Sequence, residues 1–201
     1  MTYRSAIGFG IAAMALAAPV MAESTDPARA PVQSLSDGLI GIMKNAGKLG
    51  FSGRAAQIAP VVDRAFDLPL TARLTVGTAW TAATPADRTA LIAAFRKLTV
   101  NQYAANFDGY SGQTFVVDPK VEVRGSDRVV RTTLTQPKGE AVKIAYRLRQ
   151  SGAEWKIIDV FYQNSISSLA TRRADFQSIL DKGGVKALVG HVNALADKAG
   201  R

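Results

Sequence analysis

Ala141-Val142-Lys143-Ile144-Ala145-Tyr146-Arg147-Leu148-Arg149 alternates between the two faces of an extended chain. Val142, Ile144, Tyr146 and Leu148 fall on one face, and Lys143, Arg147 and Arg149 on the other. Side chains point to opposite sides at every step of a strand, so this pattern predicts a strand with one packed and one wet face. Turn residues bound it, Pro137-Lys138-Gly139 before and Ser151-Gly152 after. Arg128 to Leu134 reads as the preceding strand and Trp155 to Tyr162 as the following one. Gly125-Ser126-Asp127 makes an earlier turn. Before it, Thr114 to Val117 reads as a strand that Val121 and Val123 continue past Asp118-Pro119. Three hairpin-like links predict an antiparallel sheet of about four strands.

On either side the period changes to that of a helix. Val32, Leu35, Leu39, Ile42 and Met43 recur at three- and four-residue steps from Pro31 to Gly47. A second helix is expected near Arg54 to Phe66, with Pro60 as a kink or a start, and a short third one around Leu70, Leu74 and Trp80. Thr84-Pro85-Ala86-Asp87 is a start signal: a capping hydroxyl, a proline for the first helical position, and an acid that bonds back. Leu91, Ile92, Phe95, Leu98, Gln102 and Tyr103 follow on one side. After the sheet, Leu169, Phe176, Ile179 and Leu180 form a helical face that Gly183-Gly184 interrupts, and Val185, Leu188, Val189, Val192 and Leu195 form another. The expected fold is α+β, a curved antiparallel sheet with helices packed on one face.

The first residues are an address. Ile7 to Ala18 is an uncharged apolar run, followed by Pro19 and then Val20-Met21-Ala22 with small residues at the first and third places. The run is too short to span a bilayer core of about 30 Å. Residues 1–22 read as a cleavable signal peptide and 23–30 as a flexible linker, leaving 31–198 as a single domain. No later stretch is long and apolar enough to span a membrane, so the mature chain is expected to be soluble. The signal peptide implies export, and a monomer is expected.

Composition narrows the chemistry. With no cysteine among 201 residues, thiolate zinc sites, iron–sulfur clusters and cysteine nucleophiles are excluded. A single histidine, His191, excludes multi-histidine metal sites, and no Gly-x-Ser-x-Gly elbow accompanies it. Gly109-Tyr110-Ser111-Gly112 lacks the lysine of a phosphate loop and reads as a turn. No cofactor is expected. The net charge of +9 points to an anionic partner. Arg131, Lys143, Arg147 and Arg149 lie on the wet face of the strands and are the candidates for docking it, unless they form only a solvated sheet face. Aromatics of the kind that stack on bases are missing among them, which argues against nucleic acid.

Two readings of the apolar face stay open. Val130, Val142, Ile144, Tyr146, Leu148, Trp155 and Ile157 should face Phe66, Trp80, Leu91, Phe95 and Tyr103 from the helices. Such a layer is either a filled core, as in a structural adaptor, or an incomplete one that leaves a cavity for an apolar ligand. Asp159 interrupts an otherwise apolar strand. It either holds the strand end by bonding an arginine or a backbone amide, or, with Asp108 and Asp118 as the other candidate carboxylates, supplies acid–base chemistry in a small cavity enzyme.

Several segments stand in a distinctive order: Tyr110-Ser111-Gly112-Gln113, Val130-Arg131-Thr132-Thr133, Tyr146-Arg147-Leu148-Arg149, and Trp155-Lys156-Ile157-Ile158-Asp159-Val160. Ile166-Ser167, Arg172-Arg173-Ala174-Asp175-Phe176, Ile179-Leu180 and Gly183-Gly184-Val185-Lys186-Ala187-Leu188 complete it. Behind a signal peptide, this set resembles the MlaC / toluene-tolerance family of periplasmic lipid-binding proteins, over roughly 31–195. Leu169-Ala170-Thr171-Arg172-Arg173 departs from the Asn-Tyr-Arg wording of ordinary members and looks more like HpnM, the branch associated with hopanoid-producing bacteria. The resemblance implies a carrier without catalysis. Its cargo, a phospholipid or a hopanoid, would sit with the apolar part between sheet and helices and the head group at the mouth. It also implies periplasmic localisation and two membrane-bound partners. One is an inner-membrane ABC transporter complex with a periplasmic lipid-binding subunit, and the other an outer-membrane lipoprotein complex.

Overall fold

The structure, a computed structural model, describes residues 26–200; the expected signal peptide at 1–22 lies outside them. The alternating stretch forms β3 (Val142–Ser151), flanked by β2 (Asp127–Thr135) and β4 (Glu154–Tyr162). Together with β1 (Thr114–Arg124) and a two-residue β5 (Ile166–Ser167) they make a sheet in sequential order, every pair antiparallel. The expected break at Asp118-Pro119 is a register shift between Val117 and Val121 within one strand. The fifth strand has no strong signal in the sequence. It arises because Gln163 and Asn164 both take positive φ, and the Ser165 amide bonds the Tyr162 carbonyl at 3.2 Å, a tight turn of the kind hairpins favour.

Among the described residues, four helical segments precede the long helix that leads into the sheet: α1 (Arg29–Lys44), α2 (Ala46–Ala65), α3 (Leu68–Val76) and the short α4 (Ala79–Ala82). That long helix is α5 (Pro85–Asn106). It starts where the sequence signals it: the Thr84 hydroxyl accepts from the Asp87 amide at 3.1 Å and donates to the Asp87 carboxylate at 2.7 Å. α2 runs through Pro60 without leaving helical geometry and bends instead at Gly50. Pro60 and Ala56, whose carbonyl the proline leaves unbonded, are both exposed, so water can serve that carbonyl. Asp26 to Ala30 also differ from expectation. They are not a loose linker: Ala28 is buried, Asp26 pairs with Arg128, and Arg29 donates to the carbonyls of Val117 and Asp118. After the sheet, α6 (Ser168–Ala199) is broken by a non-helical Gly184, at the interruption read from Gly183-Gly184. Among the described residues no helix is long and apolar enough to cross a membrane.

The helices and sheet enclose two apolar cores. The first joins α1, α2, the C-terminal half of α5 and the inner face of the sheet, around Leu35, Leu39, Ile42, Ile58, Tyr146 and Leu148. The second lies among α3, the N-terminal half of α5 and α6, around Leu91, Phe95, Leu98, Phe176, Leu188 and Val192. α5 belongs to both. Its buried residues, from Leu91 and Phe95 through Thr99 to Ala104, serve one core and then the other along its length.

Candidate functional site

A cavity of about 150 Å³ opens at the seam between the two cores. α5 supplies Thr99, Gln102, Tyr103, Asn106 and Phe107 to its wall. β4 supplies Ile158, Asp159 and Val160, and the start of α6 supplies Ser168, Leu169 and Arg172. Phe66, Leu68 and Thr71, at the junction of α2 and α3, complete it.

Local chemistry holds these walls in place. Asp67 caps α3 through the Leu70 amide at 2.9 Å, while its own amide donates to the Ile157 carbonyl at 2.9 Å. The α2–α3 junction is thereby fastened to β4, with Phe66 bridged to Ile157. β4 carries an extra residue at Ile158, because Leu148 faces Ile157 and Arg147 faces Asp159. Such a bulge re-aims side chains locally, and both Ile158 and Asp159 reach the cavity wall. A row of rings runs along the α5 side: Phe66 to Tyr103 at 6.1 Å, Tyr103 to Phe107 at 6.0 Å, and Phe107 to Phe115 at 6.1 Å between centroids. Burial pushes the Tyr103 hydroxyl well above its ordinary pKa, so it stays protonated and can donate.

The polar end of the cavity is built on Arg172. Its Nη2 donates to Gln102 Oε1 at 2.8 Å, and its guanidinium lies 5.7 Å from the Phe95 ring centre. Burial holds its pKa below the ordinary arginine value, with Tyr103 and Asp159 partly offsetting that. Asp159, the other charge there, is fully engaged. Its Oδ1 accepts from the amides of Val160 (2.8 Å) and Leu169 (3.0 Å), and its Oδ2 accepts from Ser167 Oγ at 2.6 Å. Arg147 Nη2 stands 3.9 Å away. Asp159 therefore pins the start of α6 to β4. Among the described residues no second carboxylate lines the cavity beside Asp159.

Of the candidate ligand-facing residues, Phe66 and Tyr103 stand on this wall. Val130, Tyr146, Leu148 and Ile157 are buried in the first core beneath α1 and α2, with Ile144 and Trp155 packed at its margin. Val142 is half-buried beside Leu134 near the β2–β3 turn. Leu91 and Phe95 fill the second core and Trp80 packs against it, because that part of α5 turns away from the sheet. The reading from sequence missed Leu68, Phe107, Ile158, Val160 and Arg172 as wall residues. Only the junction of two cores brings them together, and no single amphipathic face contains them.

The wet-face cations are largely paired. Arg149 grips Asp127 with two bonds of 2.7 and 2.9 Å, and Arg131 donates to Glu122 at 2.7 Å. Arg147 lies between Asp127 and Asp159, 4.0 and 3.9 Å away, and its buried Nε has no hydrogen-bond partner among the described residues. Arg124 and Arg131 together hold the Glu122 carboxyl below its ordinary pKa. Lys143 is exposed and meets Arg131, Asp118 and Asn164 at an open groove on this side.

Residues 33–194 match the model of a protein family described as MlaC protein. The chain belongs to the MlaC family. Among solved structures, this MlaC-family chain is similar to the phospholipid-binding protein from Ralstonia solanacearum in complex with a phospholipid. The two share 25% sequence identity and a TM-score of 0.73, over 88% of this chain and 100% of the other. The α+β fold inferred from the alternation in β3 is thus the fold of a lipid-binding relative. MlaC membership together with that relative identifies a binding protein.

Proposed function

We propose that this protein is a soluble periplasmic carrier that takes one lipid into the seam cavity and shuttles it between membrane-bound components of an ABC-type lipid transport system. The observation that carries the reading is the apolar-walled cavity at the α5–β4–α6 seam, in a fold whose Ralstonia solanacearum relative is in complex with a phospholipid. Phospholipid is therefore the first cargo to test, with hopanoid as the alternative the α6 wording raises. Burying about 14 methylenes at about 0.8 kcal/mol each gives roughly 11 kcal/mol of gross transfer energy. That is enough to hold a lipid in water without covalent chemistry, and it makes spontaneous release slow. Handover then depends on docking to an inner-membrane transporter complex and an outer-membrane lipoprotein complex, each able to open the cavity. Ligand pockets commonly measure about 300–1,000 Å³. The cavity measures about 150 Å³; on this reading it is the closed form of such a site, and loading parts its walls.

The test is solvent extraction and native mass spectrometry of the protein purified from its native periplasm. A bound phospholipid or hopanoid in one-to-one ratio is expected. A homogeneous lipid-free protein that also takes up no labelled lipid from vesicles would overturn the reading.

A further inference from the structure

One charge in the cavity wall, Arg172, forms no ion pair among the described residues, although Asp159 lies close enough to act on it. Arg172 spends Nη2 on Gln102, a neutral amide, at 2.8 Å. The only acid on the wall, Asp159, is committed to Ser167, Leu169 and its own strand. A guanidinium carries five N–H donors in a planar fork, which suits an oxyanion bound by two of them. Gln102 holds that fork against the α5 side, and Phe95 supports its face. Ser168 and Tyr103 stand on the same wall with hydroxyl groups. A poorly solvated cation, fixed by a neutral partner and bordered by hydroxyls, is half of an anion site.

We infer that Arg172, positioned by Gln102, receives the phosphate oxygens of the cargo's head group, so that the protein selects phosphate-bearing lipids over neutral lipids with the same acyl chains. The inference rests on the carrier reading and deepens it. The apolar walls take the chain, as they would for any lipid, and the arginine reads the charge. A neutral triterpenoid would leave the fork facing nothing and lose that discrimination.

The experiment measures uptake from vesicles of dioleoylphosphatidylglycerol and of dioleoylglycerol by the whole mature protein, with inorganic phosphate as a competitor. The wild type should favour the phospholipid at least tenfold, on the order of the strength of hydrogen bonds to a charged group. Arg172→Gln should lose about ten- to a hundredfold in phospholipid affinity while its dioleoylglycerol affinity stays within about twofold, and Arg172→Lys should restore part of the loss with a point charge. A merely structural tie between α6 and α5 would weaken both lipids together, and that result overturns the proposal. Equal affinity of the wild type for the two lipids overturns it without any variant, should Arg172→Gln not fold. Full competition by millimolar inorganic phosphate would mark a free-anion site and overturn the lipid assignment. Failure of the wild type to bind either lipid would instead bring down the carrier reading itself.

Discussion

At the scale of single residues, Asp159 shows how a carboxylate in a cavity wall can be structural. Replacing it by alanine would leave the Leu169 amide and the Ser167 hydroxyl without their acceptor and Arg147 without one of its counter-charges. Unsatisfied buried donors and a broken buried ion pair each cost on the order of 1–4 kcal/mol. Asp159→Ala should therefore lose about 2–4 kcal/mol in urea unfolding, and Asp159→Asn, which keeps one oxygen, clearly less. Near wild-type stability for Asp159→Ala would mean that α6 is anchored elsewhere. Two buried tyrosines give a second expectation. Burial raises the hydroxyl pKa of Tyr103 and, with a hydrogen bond from Thr132 partly offsetting it, that of Tyr146. Above about pH 10 the unfolded chain releases these protons while the folded chain keeps them. Stability from this source is intact below pH 10 and falls as pH rises beyond it. Tyr146→Phe should reduce the slope of unfolding free energy against pH in that range; an unchanged slope would show that lysines or other groups set the alkaline limit.

At the scale of elements, the breaks in the long helices come from glycine. Gly184 sits at φ 63° and ψ −164°, a region closed to side chains, although nothing lies within 4 Å of where a Cβ would stand. Gly184→Ala should cost about 1–3 kcal/mol from backbone strain alone. Gly190→Ala lies within the same element, in helical geometry and with open space around it, and should instead stabilise by about 0.5–1 kcal/mol. Thermal unfolding of the pair checks the opposite signs. The Gly183-Gly184 break was legible in the sequence, as were the alternation of β3 and the Thr84 start of α5, because each is a local signal with a local cause. The wall of the cavity was not. Leu91 and Phe95 share a helical stripe with Gln102 and Tyr103, yet the first two fill the second core and the last two line the seam. A stripe tells which residues turn inward and is silent on which of two cores receives them. Arg172, in a helix start rich in arginine, reads as an ordinary surface charge until α5 is packed against it.

At the scale of the whole molecule, two cores meeting along one helix explain where a ligand can enter. The first core ties the sheet to α1 and α2, and the second ties α3 and α6 to α5. The bonds that cross between them include Asp67 to Ile157, Thr71 to Ile158, Asp159 to the start of α6, and Arg172 to Gln102. A cavity of about 150 Å³ is smaller than a lipid, so under the proposed carrier function loading has to widen it, and the seam is the place to test. In the lipid-free protein, amide hydrogen exchange should be fastest in α3 and in α6 before Gly184, and slowest in β2, β3 and α1. Loading should then slow exchange at the seam and leave the first core unchanged. Because lipid binds only the folded form, it also stabilises by mass action. Free lipid at a hundred times Kd contributes about 2.7 kcal/mol. For a domain of this length that raises Tm by about 5–10 °C. A scan with and without vesicle-loaded phospholipid measures the shift. A shift accompanied by protection spread evenly over both cores would place the opening outside the seam, and protection confined to α3, β4 and the start of α6 would place it there.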